Sequence, residues 1–130
     1  MNCLKPETII LFNQKALRAT GAGLVLNRAQ VNNLRSYVEA TVGYHGFDEL
    51  ETFCLAAYLI VKQHNFRDGN KRTAQHVLLN CLRQAGWTYT GRPIDLARRI
   101  VELSKSEANR KTESILELSY FLKPKLQKRQ

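Results

Sequence analysis

Residues 64–74 read His64-Asn65-Phe66-Arg67-Asp68-Gly69-Asn70-Lys71-Arg72-Thr73-Ala74, and the reading of this stretch decides the fold. On its N-terminal side Leu50, Phe53, Cys54, Ala57, Ile60, Val61 and His64 recur at spacings of three and four. On its C-terminal side Ala74, Val77, Leu78, Cys81, Leu82 and Ala85 do the same, before Gly86. Such spacings place the side chains on one face of a helix. The stretch therefore joins two apolar helices through a turn at residues 65–69. That pair is the most apolar part of the chain, so it predicts the buried core.

Outward from this pair the helical period continues. Ile9, Ile10, Leu11, Phe12, Ala16 and Leu17 mark a first helix within residues 5–20, stopped by the two glycines of Thr20-Gly21-Ala22-Gly23. Asn27 with Gln30 predicts a helix start, followed by Val31, Leu34, Val38 and Val42 and broken by Gly43 and Gly46. Asp48 with Glu51 starts the third helix in the same way. Residues 87–93 read as a connector with a short extended piece. Pro93 then opens a fifth helix with Ile94, Ala97, Ile100 and Val101 inward. Ser114 and Glu117 form a capping pair for a final helix using Ile115, Leu118 and Leu122. No segment alternates with period two. The expectation is an all-α single domain of about six helices over residues 1–123, with a central helix–loop–helix and a basic tail at residues 124–130.

The chain's 130 residues suit one domain, since domains run most often to about 100–150 residues. A content of 44% apolar and 24% charged residues is a globular balance. The longest apolar run, residues 55–61, is far short of the roughly 20 residues a membrane span needs. The N-terminus carries neither an extended apolar stretch nor a small-residue cleavage site, so the sequence predicts a soluble, cytoplasmic protein without membrane contact. Cys3, Cys54 and Cys81 are odd in number and far apart with no CxxC, so neither a disulfide framework nor a zinc site is expected, and Cys54 and Cys81, inside apolar helical patterns, read as small buried thiols. The net charge of +9 invites a nucleic-acid partner. The last eight residues, however, hold four positive and no negative charges. Direct nucleic-acid binding is therefore not expected; the basic end reads as a solvated tail that can steer an acidic partner.

The turn itself carries chemistry. Asp68-Gly69-Asn70 precedes a helix, and successive N–H groups in such a turn form an anion nest. The helix adds its own unpaired N–H groups and dipole. Lys71 and Arg72 then sit in the first turn, where cations oppose that dipole unless a phosphate is bound. Asp68 is the only carboxylate between Glu51 and Asp95, and Mg²⁺ could bridge it to phosphate oxygens. His64 stands four residues upstream, and an imidazole exchanges protons near neutrality, as a base on a hydroxyl must. Phe66 reads as a plug anchoring the turn. His76, one helical turn beyond Arg72, is placed either to approach the same pocket or on plain surface. Taken singly, each residue has a structural reading: a dipole partner, an ordinary turn, solvated cations. Taken together they suit phosphate transfer.

The stretch resembles the signature of the Fic/Doc superfamily, His-Pro-Phe-x-Asp/Glu-Gly-Asn-Gly-Arg-x-x-Arg. His64, Phe66, Asp68, Gly69, Asn70 and Arg72 match; Asn65, Lys71 and Gln75 depart. Asn70-Lys71-Arg72-Thr73-Ala74 resembles the Doc, or death-on-curing, branch. The resemblance implies an all-α Fic fold and a transfer from ATP to a protein hydroxyl, in a cytoplasmic protein encoded by a bacterium, phage or plasmid. Fic proteins typically transfer AMP, whereas Doc toxins transfer phosphate to a threonine of elongation factor Tu and arrest translation. By this likeness His64 is the base, Asp68 holds Mg²⁺, Gly69, Asn70 and Lys71 line the anion site, and Arg72 pairs with phosphate. A side chain at Lys71 fills room that glycine leaves for nucleotide phosphates, and Gln75 lacks a phosphate contact. Both departures favour the phosphate-donating pose over AMP transfer. The chain lacks the inhibitory Ser/Thr-x-x-x-Glu-Gly/Asn segment of some Fic proteins. The resemblance therefore implies a separate Phd-type antitoxin. Two alternatives stand beside this reading: an AMP transferase, and a Fic-fold binding module without catalysis.

Overall fold

The computed structural model describes residues 1–17 and 25–129. The glycine stop expected at residues 20–23 lies outside the described residues. The fold is all-α, with helix making up 76% and six α-helices among the described residues. After a short 3-10 turn at Asn2–Leu4 come α1 (Pro6–Ala16), α2 (Arg28–His45), α3 (Glu49–Gln63), α4 (Asn70–Gln84), α5 (Pro93–Lys105) and α6 (Lys111–Leu122). Two three-residue strands, β1 (Trp87–Tyr89) and β2 (Leu126–Lys128), pair antiparallel with Trp87 opposite Lys128.

Local chemistry sets most boundaries. Pro6 and Pro93 sit in the first turns of α1 and α5, where a missing N–H removes no bond. The Asn27 side chain accepts from the Gln30 amide at 3.0 Å and starts α2. Gly43 does not break that helix. It lies within it, at a cost of only about 1 kcal/mol against alanine, and the left-handed Gly46 (φ +67°) ends the helix instead. Asp48 and Glu51 form a complete capping box at α3, with reciprocal bonds of 2.7 and 2.8 Å. Ser114 and Glu117 do not start α6. The helix opens three residues earlier at Lys111, leaving Ser114 buried inside it and Glu117 paired with Arg110 at 2.9 Å. Ile115, Leu118 and Leu122 fix only the helix face, which an earlier start leaves unchanged.

The core is built around α3, whose residues from Thr52 to Val61 are all buried. A helix covered on every side needs partners on every side. Val31, Leu34 and Val38 come from α2, Val77, Leu78 and Leu82 from α4, Leu96, Ile100 and Leu103 from α5, and Ile115, Leu118 and Leu122 from α6. Ile94 was expected inward but is 51% exposed. Once Pro93 fixes the helix start, Leu96, Ile100 and Leu103 share the inner face at spacings of four and three.

Two further expectations give way. Cys3 and Cys81 form a disulfide, leaving Cys54 as the free, buried thiol among the described residues. The helix packing brings the two Cα atoms within 5.2 Å although 78 residues separate them. Burial holds the Cys54 thiol far above its ordinary pKa, with Asp48 and Glu51 adding to the shift. The basic end is not a free tail: Leu126–Lys128 pairs with β1, and the Arg129 amide donates to the Gly86 carbonyl at 2.7 Å. No helix among the described residues is long and apolar enough to cross a membrane.

Candidate active site

The turn between α3 and α4 is built by three devices. His64 ends α3 in the left-handed conformation (φ +50°), the only non-glycine residue with positive φ among the described residues. That geometry costs a side chain about 1–2 kcal/mol, and it swings the chain away from the helix axis at the residue expected to act as base. Phe66, 2% exposed, anchors the turn in the core as the sequence predicts. The Asn65 carbonyl accepts from the Leu26 and Asn27 amides at 2.7 and 3.3 Å, tying the turn to the start of α2. The Asn70 carboxamide then closes the loop on Phe66, accepting from its N–H at 3.2 Å and donating to its C=O at 2.9 Å.

Gly69 (φ +76°) leads into α4, and a Cβ there would stand 3.1 Å from Leu17 and 3.3 Å from Asn13. Both the backbone angle and the packing require glycine. The first helical bond of α4 runs from the Thr73 amide to the Gly69 carbonyl at 2.9 Å. The amides of residues 70–72 therefore have no acceptor among the described residues. Asp68 accepts from the Gly69 amide at 2.8 Å through one carboxylate oxygen.

These groups open onto a cavity of about 630 Å³. Its walls are the end of α1 (Ala16, Leu17), the end of α3 (Val61, His64), the turn (Arg67 to Asn70), the first turns of α4 (Lys71, Arg72, Gln75) and one side of α5 (Ala97, Ile100, Val101, Ser104). Three cations, Arg67, Lys71 and Arg72, thus face one carboxylate, Asp68. The side chains of Arg67 and Lys71 have no hydrogen bond or ion pair among the described residues. Arg72 differs. It donates to the Ala16 carbonyl at 2.8 Å, at the C-terminal end of α1, where a cation is favourable. The guanidinium has five N–H donors, so others remain for the cavity.

The structure brings His64, Asp68, Gly69, Asn70, Lys71 and Arg72 to one cavity. It leaves out His76, whose ring stacks on Phe12 with centroids 6.0 Å apart. Partial burial, then Arg72 and Lys15, lower the His76 pKa. Asn70 reaches the cavity with its carboxamide already committed to Phe66. The sequence reading missed Asn13, Thr73, Arg67 and the α5 wall. Asn13 left a trace: one amide on the α1 face otherwise formed by Ile9 and Ala16.

No group of three or more His, Cys, Asp or Glu side chains among the described residues is placed to hold a metal. A donor set of one carboxylate fits a Mg²⁺ that takes its remaining ligands from phosphate oxygens and water, as this ion commonly does. It does not fit a resident metal held by protein alone.

A family model described as the Fic/DOC family matches residues 4–82. The match covers more than half of the chain, from the start of the core into the last turn of α4, with the whole of residues 64–74 inside it. The chain belongs to the Fic/DOC family. No curated protein matches the chain. Fic/Doc members are typically transferases acting on proteins, and generally use ATP and a metal. Fic/Doc membership therefore places the chain in a general class of AMP-transferring or phosphorylating enzymes. The α5 wall lies beyond the matched span.

Proposed function

We propose that this chain is a Doc-like toxin kinase. It transfers the γ-phosphate of ATP to a Ser/Thr hydroxyl of a translation factor, elongation factor Tu by family likeness, and arrests protein synthesis. A separate Phd-type antitoxin neutralises it. The observation that carries the reading is Lys71. It stands where the Fic signature has glycine, lines the cavity from the first turn of α4, and has no partner of its own among the described residues. Gln75, standing for the signature's last arginine, supports the same reading, since its amide donates to the Pro93 carbonyl at 3.3 Å instead of offering a cation.

The residues divide the work as follows. The open amides at the start of α4, with Lys71, Arg72 and Arg67, bind the phosphate chain and place its terminal group toward His64. His64 accepts the proton of the target hydroxyl as its oxygen bonds to the γ-phosphorus. The bond from that phosphorus to the β–γ bridging oxygen breaks, and ADP leaves. Asp68 would hold Mg²⁺, which would supply charge neutralisation on the phosphates when bound.

Incubating the chain and a translation extract with ATP labelled separately at the α and γ positions tests this. γ-Label on a protein near the mass of elongation factor Tu is expected, and its absence from the His64→Ala reaction. α-Label on the target would replace this reading with AMP transfer.

A further inference from the structure

The anion-binding turn is held from behind by a residue far away in sequence. Asn13, on α1, is 1% exposed. Its Nδ2 donates to the Asp68 carbonyl at 2.9 Å and to the Thr73 hydroxyl at 3.2 Å. The Thr73 hydroxyl in turn donates to the Gly69 carbonyl at 2.7 Å. Two successive carbonyls of the turn are thus pulled toward the protein interior by a two-member relay. In a trans peptide the C=O and the following N–H point in opposite directions. Fixing the Asp68 and Gly69 carbonyls inward therefore fixes the Gly69 and Asn70 N–H groups outward. The first reaches the Asp68 carboxylate and the second has no acceptor among the described residues.

A buried amide in a helix face otherwise made of Ile9 and Ala16 needs a reason, because an unpaired one is costly. Here both N–H groups are satisfied by the turn and its helix rather than by α1. We propose that Asn13 is a positioning residue: through Thr73 and the Asp68 carbonyl it orients the peptide planes that bind the nucleotide phosphates. It does not touch the substrate. The inference rests on the cavity being the nucleotide site, and its test separates the two.

Calorimetry of ATP–Mg²⁺ binding to the full chain is one arm. Wild type is expected to bind. Asn13→Leu and Thr73→Val are expected to bind about tenfold more weakly, the size of effect expected from losing one oriented hydrogen bond. Thr73→Ser keeps the hydroxyl and loses the buried methyl, so it is expected to keep wild-type affinity while melting earlier. A purely structural role predicts the reverse pattern, with affinity following melting temperature across the set. Amide hydrogen exchange without nucleotide is the other arm. Asn13→Leu is expected to change exchange at residues 69–73 and to leave residues 77–82 unchanged. Unaltered exchange at residues 69–73 would overturn the role of Asn13 whatever ATP does. Failure of wild type to bind ATP would instead overturn the reading of the cavity. Should Asn13→Leu not fold, Thr73→Val reads the same relay in both arms.

Discussion

Replacing Cys3 by alanine removes the covalent tie between the first residues of the chain and the last turns of α4. In the chain-entropy model the stabilisation grows with the loop closed, and the 78-residue separation of Cys3 and Cys81 gives a ceiling of about 4.5 kcal/mol. Native bridges typically contribute about 2–4 kcal/mol. At roughly 2.1 cal/mol/K of unfolding entropy per residue, the 130-residue chain should lose about 7–15 °C of melting temperature. The assay is a thermal melt of wild type, wild type with a reductant, and Cys3→Ala. Reductant should lower the wild-type midpoint to that of Cys3→Ala and leave the variant unmoved. Cys54 is the internal control, because it is free and buried, and Cys54→Ala should still respond to reductant. A thiol count in denaturant should find one free thiol before reduction and three after. Three thiols in the air-purified protein, or a Cys3→Ala midpoint equal to wild type, would refute the reasoning.

His64→Ala should lower transfer by about a hundredfold or more, the usual contribution of a general base, with the melting temperature nearly unchanged because the ring is exposed. Rate and melting point measured on one preparation check this, and preserved transfer would remove His64 from the chemistry. Gly69→Ala should destabilise by about 1–3 kcal/mol, since its Cβ meets Leu17 at 3.1 Å in a left-handed turn, and urea unfolding measures it. His76 should make stability pH-dependent. Its folded pKa lies below the ordinary 6.5, so the unfolded chain binds the proton more readily. Stability is then full above about pH 6.5 and falls as the pH drops through the folded value. Melting temperatures of wild type and His76→Gln against pH should converge at the acid end, and parallel curves would reject this.

Much of this molecule is written locally. The Asn27 cap, the Asp48–Glu51 capping box, Pro93, Gly46 and the three-and-four spacing around residues 64–74 each act within one turn of helix, and each appears where its chemistry places it; the Ser114–Glu117 pair does not. Features that depend on contact between distant segments were not legible. Cys3 and Cys81 become partners only when the 3-10 turn and α4 pack together. Leu126–Lys128 looks like a charged tail until β1 offers it an edge. Asn13 reads as an ordinary helix residue until the turn arrives 55 residues later. For the candidate site the sequence offered residues by type and spacing. It could not show which were already committed, as Asn70 is to Phe66 and Arg72 is to Ala16.

That last distinction changes the physical argument for function. Two cations in the first turn of α4 both oppose its dipole, and in the sequence they look equivalent. The structure separates them, because Arg72 reaches the C-terminal end of α1 and has a structural reason to be a cation. Lys71 has no such partner among the described residues. Only Lys71 therefore stores an unfavourable interaction in the ligand-free protein. Lys71→Ala should stabilise the free chain by about 0.3–1 kcal/mol, the scale of a charge at a helix end, and more at low salt than at high. The same substitution should weaken ATP binding and slow γ-phosphate transfer. Arg72→Ala should destabilise the free chain, because it uncovers the Ala16 carbonyl. Urea titrations at two salt concentrations, alongside ATP calorimetry, measure both signs. If Lys71→Ala and Arg72→Ala shift stability in the same direction, the first-turn cation at residue 71 carries no information about a bound phosphate. The case for phosphate transfer then loses its main support.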